Sequence, residues 1–130
     1  MAAGNVWTSA GQAEVVDQYD TNATTDFIGW GVGTTTPAIT DTDLETASTE
    51  ARATTSGART QPSANVIQWV GTITADGSKN ISEAGVFYAV GTGSPPTLGT
   101  PLICHSVFTA IPVVLNDTIQ FTFTLTFATG

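Results

Sequence analysis

The ten residues Thr118 to Phe127, TIQFTFTLTF, alternate without exception between apolar positions (Ile119, Phe121, Phe123, Leu125, Phe127) and polar ones (Thr118, Gln120, Thr122, Thr124, Thr126). A period of two sends successive side chains to opposite faces of an extended chain, so the segment predicts one strand with a greasy inner face and a threonine outer face. A helix would spread the same phenylalanines around its whole circumference. Asn116-Asp117, after the apolar run Ile111 to Leu115, marks the turn ahead of this strand. Asn65 to Thr74 repeats the pattern: Ile67, Trp69, Gly71 and Ile73 form an apolar face, and Val66, Gln68, Val70, Thr72 and Thr74 a mixed one. Asp76-Gly77-Ser78 supplies a turn. Ile81 to Val90 and Leu102 to Ala110 predict two further strands, with Gly85 marking a bulge or a close backbone approach. Asp26 to Val32 predicts a short strand around Trp30, and Gly91 to Pro101 is a loop by composition.

Helical signals are few. Thr42-Asp43-Leu44-Glu45 has the form of a capping box, with Asp41 and Asp43 placed to favour a helix N-terminus, which predicts one turn of helix there. Glu45 to Ser56 has no strong period and predicts at most a weak edge strand. Residues 1–25 lack a persistent apolar pattern apart from Val15-Val16 and Tyr19, and predict an extended N-terminal arm that orders by lying against something. Residues 26–130 are then a domain of five to eight short strands broken by Gly/Pro turns. The fold expected is all-β: an antiparallel β-sandwich, jelly-roll-like, with at most one short helix. Phe87, Tyr88, Val107, Phe108, Ile111, Val113 and Val114 supply more apolar surface than one small sandwich obviously needs. Either the strands are covered on both faces within the chain, or copies of the chain cover one another.

Composition narrows the function. At 130 residues the chain fits one domain. It carries 25 threonines and few Leu, Lys or Glu, in keeping with strands and against a helical bundle. Three Lys+Arg stand against 11 Asp+Glu, a formal charge of −8. Three cations cannot neutralise a run of phosphates, so nucleic acid is excluded as a partner, and an anionic membrane would repel the chain. The only cysteine, Cys104, allows no internal disulfide. The N-terminus has neither the basic nor the apolar region of a secretory signal, so synthesis in a cytoplasm is expected.

No constellation for chemistry survives inspection. Cys104 and His105 are neighbours on a strand and point to opposite faces, so they form no dyad; a small buried Cys and a solvent- or interface-facing His are expected. One His and one Cys also exclude the usual zinc sites within one subunit. Asp41-x-Asp43-x-Glu45 opens like a calcium loop, but Thr46 and Arg52 stand where Gly and Glu are required. Gly29, Gly31 and Gly33 lack the spacing of a nucleotide fingerprint and read instead as small residues that let another element sit close. Trp7, Trp30 and Trp69, with Tyr19 and Tyr88, offer stacking surface for a sugar, although Trp69 sits on an apolar strand face where core packing is the default. No facing carboxylate pair is visible. The expectation is a protein that is not an enzyme, with no catalytic residues, cofactor or metal.

Three segments carry a resemblance: Phe27 to Ala47, Asp76 to Tyr88 and Leu102 to Phe127. Together, over roughly half the chain, they resemble small structural proteins of tailed bacteriophages. The matching motifs are Ile81-Ser82-Glu83-Ala84-Gly85-Val86-Phe87 and Asn116-Asp117-Thr118-Ile119-Gln120-Phe121-Thr122. Asn116 stands where the group often has Gly, and Cys104-His105 replaces a basic residue. The resemblance implies a virion component made in the host cytoplasm. The first expectation is a capsid decoration (cement) protein, commonly a trimer, whose partners are the major capsid protein and other copies of itself. A tail, collar or fibre-attachment component is the alternative within that group, and a carbohydrate-binding module the alternative outside it. Inter-subunit contacts are expected from the arm, through Val6, Trp7, Val15, Val16 and Tyr19, and from Phe108, Ile111, Val113 and Val114.

Overall fold

The computed structural model describes residues 8–11, 13–15, 26–55, 60–63, 65–97 and 102–127. Its strands are β1 (Phe27–Gly31), β2 (Ala53–Thr54), β3 (Thr60–Ser63), β4 (Val66–Thr74), β5 (Lys79–Phe87), β6 (Leu102–Val113) and β7 (Thr118–Thr126). They form two antiparallel sheets, β2-β1-β5-β6 and β3-β4-β7, in an all-β, sandwich-like arrangement. The five strands read from periodicity are all present. β3 is the addition; its sequence, TQPS, has no apolar alternation.

β4 and β7 pair in unbroken register from Val66↔Thr126 to Thr74↔Thr118. The apolar face of each strand therefore stacks on that of the other: Ile67 opposite Leu125, Trp69 opposite Phe123, Ile73 opposite Ile119. The outer face pairs Gln68 with Thr124 and Val70 with Thr122. Gly71 lies opposite Phe121, and a Cβ there would come within 3.1 Å of Ile28 in the other sheet. The core joins Ile28, Trp30, Ala84 and Val86 of the first sheet to Ile67, Trp69 and Ile73 of the second. The Trp69 indole N–H donates to the carboxylate of buried Asp26 at 2.7 Å.

β5 is buried on both faces from Ile81 to Phe87. Its second face is covered by the chain's own segment 32–52, held to β1 by Val32 N–H donating to the Thr46 carbonyl and Ser48 N–H to that of Trp30. Leu44 packs over Gly85, and the Arg52 guanidinium lies 3.5 Å from the centre of the Phe87 ring. Of the seven residues that suggested an excess of apolar surface, Phe87 and Val113 are buried within the chain, Val107 and Phe108 are half-buried, and Tyr88, Ile111 and Val114 remain exposed. The expected helical turn at Thr42–Glu45 does not form. The side chain meant to close the capping box is drawn elsewhere: Glu45 accepts the Thr34 and Thr35 amide protons and the Thr35 hydroxyl. The helix lies instead within the N-terminal arm, at residues 9–11 and 13–15, with the Thr8 hydroxyl capping the Gly11 N–H, so this part of the arm is helical and not extended as expected.

The β4–β5 and β6–β7 connections each cross from one sheet to the other, so neither is a hairpin. The two crossings are tied together by Ala75 N–H to the Asp117 carbonyl (2.7 Å) and Asn116 N–H to the Ala75 carbonyl (2.9 Å). Asn116 has φ +73°, the left-handed region that Asn and Gly tolerate best. Asn116→Gly is therefore expected to change stability little, while Asn116→Ala should cost about 1 kcal/mol, read by thermal denaturation.

Candidate functional site

β6 and β7 are the edge strands of their sheets and lie on the same side of the sandwich. Here the sheets part, leaving a groove of about 460 Å³ between the two edges. Phe108 from β6 and Ile119, Phe121 and Phe123 from β7 line it. Phe121 bridges toward the core: its ring is 6.0 Å from that of Phe108 and meets Trp30 edge-on at 6.2 Å. The open mouth explains why the apolar positions of β7 are half-buried although their alternation is complete. Cys104, on the inner face of β6, lines the same groove, and burial pushes its thiol pKa up.

At one end of the inter-sheet space lies a wholly apolar cavity of about 120 Å³, lined by Val15, Ile67, Trp69, Ile103, Leu125 and Phe127. Val15 thus sits over the core of its own chain while remaining 46% exposed. Of the other expected contact residues, Phe108 lines the groove, Ile111 borders it at 40% exposed, and Val114 stands out at 56% beside Leu115. Val113 is a correction: as the last residue of β6, paired with Lys79 of β5, it is buried in the core, while its neighbours Pro112 and Val114 are exposed. Val6, Trp7, Val16 and Tyr19 lie outside the described residues.

His105 is a second correction. It does point away from Cys104, but its side chain is 7% exposed instead of facing solvent. Nδ1 is 2.7 Å from Asp41 Oδ2, and Nε2 is 3.9 Å from Glu83 Oε2. Asp41 accepts the Ala38 N–H as well, and that bond, together with the one to His105, holds its carboxyl below the usual range. Glu83 is fully buried and its pKa is raised by burial; Oε1 accepts the Thr46 N–H at 3.2 Å. Gly31 and Gly33 make this possible. A Cβ on Gly33 would collide with the Glu83 carboxylate, and one on Gly31 with the Thr46 carbonyl. The glycines do admit a close neighbour, as their spacing suggests.

Thr35, Thr36, Asp41, Asp43, Glu45 and His105 line an acidic depression of about 240 Å³ beside this cluster. Its carboxylates are already engaged: Glu45 by the Thr34–Thr35 amides, Asp43 by the Leu44 N–H and by Arg52 at 3.5 Å. Among the described residues no group of three or more His, Cys, Asp or Glu is arranged to hold a metal ion, and no helix is long and apolar enough to cross a membrane. The cluster pins segment 32–52 onto the sheet. Of the residues expected to stack on a sugar, Trp30 and Trp69 are both in the core and offer no platform, Tyr88 is 40% exposed, and Trp7 and Tyr19 lie outside the described residues. Glu83 and the groove are what the sequence did not expose: a Glu inside an apolar strand with glycines in the neighbouring strand was the available signal for the first. The chain matches no family model and no curated protein sequence.

Proposed function

We propose that this chain is a structural component of a tailed-phage virion, a capsid decoration protein that binds the outer shell as an oligomer and stabilises contacts between capsomers. One observation supports the reading above the others: the open apolar groove between β6 and β7, bordered by two edge strands. Such a surface gains by being covered with a second chain, through added strand pairing and burial of half-exposed phenylalanines, which supports the association of copies through which the shell is bound. The mechanism is thermodynamic. A protein that binds assembled shell and not separate capsomers shifts the equilibrium toward shell by mass action, by about 2.7 kcal/mol per site at a hundredfold excess over its Kd. Repetition over a symmetric shell multiplies a weak contact. The formal charge of −8 keeps free copies soluble and away from the packaged genome.

The test is co-sedimentation of the purified chain with expanded shells of the encoding phage, followed by thermal disruption of the decorated shells. Saturable binding and a disruption temperature raised by several degrees are expected. Failure to bind shell, with binding to isolated tails or collars, would transfer the chain to those structures. The buried positions of Trp30 and Trp69 weigh against the sugar-binding alternative.

A further inference from the structure

We propose that the β6–β7 side of the sandwich is a self-docking surface: β7 pairs antiparallel with β7 of a second copy across a twofold axis, and the two open grooves close against each other. Three observations converge on a second copy as the occupant. The first is charge. The chain carries 11 Asp+Glu and 3 Lys+Arg, yet β6 and β7 contain none of these residues. His105, the one titratable cation former on either strand, is turned to the far face of β6, where Asp41, Glu83 and Glu45 surround it. Two copies of so acidic a chain repel each other when carboxylate-bearing faces meet, and this face is the neutral approach. A basic partner would be drawn to the carboxylates elsewhere.

The second observation is the state of the edge. Soluble monomers guard an edge strand with charge, proline, a bulge or brevity. β7 has no proline and no charge, and its nine residues hold an unbroken register with β4. β6 is the poorer template: it contains Pro112, and its register with β5 shifts between Ile81 and Glu83. The third is self-complementarity. Antiparallel pairing of β7 with itself about Thr122 sets Thr122 beside Thr122, Thr118 beside Thr126 and Gln120 beside Thr124 on the outer face, and sets the half-buried Phe121 against Phe123 and Ile119 against Leu125 within. Nine residues give a new ladder about 30 Å long. The result is a six-stranded sheet, each copy contributing β3, β4 and β7.

This rests on the part of the proposed function in which copies of the chain associate, and it replaces the threefold arrangement implied by the resemblance with a twofold pair. The experiment is light scattering on the full chain across the micromolar range. Twice the chain mass is expected for the native protein. Thr122→Asp, which brings two carboxylates together at the axis, should weaken association about tenfold or more while leaving the far-ultraviolet circular dichroism unchanged. Thr124→Asp serves if Thr122→Asp misfolds. Thr72→Asp, with the same charge on the same face but one strand inward, should remain paired. A monomer at every concentration, a trimer, or a dimer indifferent to Thr122→Asp would overturn the proposal. Shell binding by a monomer would overturn this surface alone; a dimer that ignores shells would overturn the decoration reading alone.

Discussion

Replacing Trp69 with alanine is expected to cost about 4 kcal/mol, the largest loss from any single truncation in this core. Trp69 is fully buried at the centre of β4, with Phe123 opposite it on β7. It also lines the apolar cavity shared with Val15, Ile67 and Leu125, so truncation would enlarge an existing void that the surroundings fill poorly. A second contribution is polar. Its indole N–H donates to Asp26, itself at 0% exposure, and removing one donor from a buried carboxylate loses part of what offsets its desolvation. Trp69→Phe separates the two: it keeps most of the ring volume, loses the donor, and should cost about 2 kcal/mol. Urea denaturation followed by circular dichroism measures both. Equal losses for Phe and Ala would mean that the hydrogen bond dominates; a loss below 1 kcal/mol for Ala would contradict the placement of Trp69.

Why some of this was visible in the sequence and some was not follows from which interactions are local. β7 was legible almost to the residue because one face meets the core and the other meets water, and that contrast writes a period of two into the chain. β4 was legible for the same reason, with the buried and open faces assigned correctly. β5 read less clearly. Buried on both faces, it has no contrast to write, and it ends at Phe87 where the apolar run continues to Val90. β3 is held by the edge of β4, through Thr60↔Gln68 and Ser63↔Val66, and nothing in TQPS itself favours a strand. The failed capping box shows the same logic reversed: the local motif at Thr42–Glu45 lost to amides ten and eleven residues earlier in the chain. His105 and Asp41 stand 64 residues apart, so the burial of that histidine had no local signature. The groove lies between. The surplus of apolar residues around Phe108 and Phe121 was apparent, but which part the chain covers by itself depended on sheet order.

Acid should destabilise the fold through one site in particular, Glu50. Its side chain is 5% exposed and accepts the Ser48 hydroxyl (2.6 Å), the Lys79 ammonium (2.9 Å) and the Asp76 N–H (3.1 Å). Burial pushes its pKa up, but these bonds prevail and hold it at about 2, against 4.5 ordinarily. Asp76 is lowered as well, by Lys79 and the Thr49 hydroxyl. The folded state therefore binds the Glu50 proton more weakly than the unfolded state does. The stabilisation is fully present above pH 4.5, declines as the pH falls, and is gone near 2; it amounts to about 2 to 3 kcal/mol. Glu83 acts in the opposite direction. Its raised pKa favours folding below the ordinary carboxylate range, a contribution lost as pH rises through the folded value, so it offsets part of the acid loss. Comparing the native chain with Glu50→Gln removes that complication. At pH 6 the variant should be about 2 to 3 kcal/mol less stable, and the difference should shrink toward zero at pH 2. A gap that stayed constant with pH would show that Glu50 contributes through packing and neutral hydrogen bonds, and that the Lys79 pairing carries no charge-linked stability. Because Glu50 fastens segment 32–52 to the β4–β5 crossing, the first event in acid should be release of that segment from β5. Fluorescence of Trp30, whose strand that segment covers, should therefore change before that of the fully buried Trp69, a distinction that single-tryptophan variants would resolve.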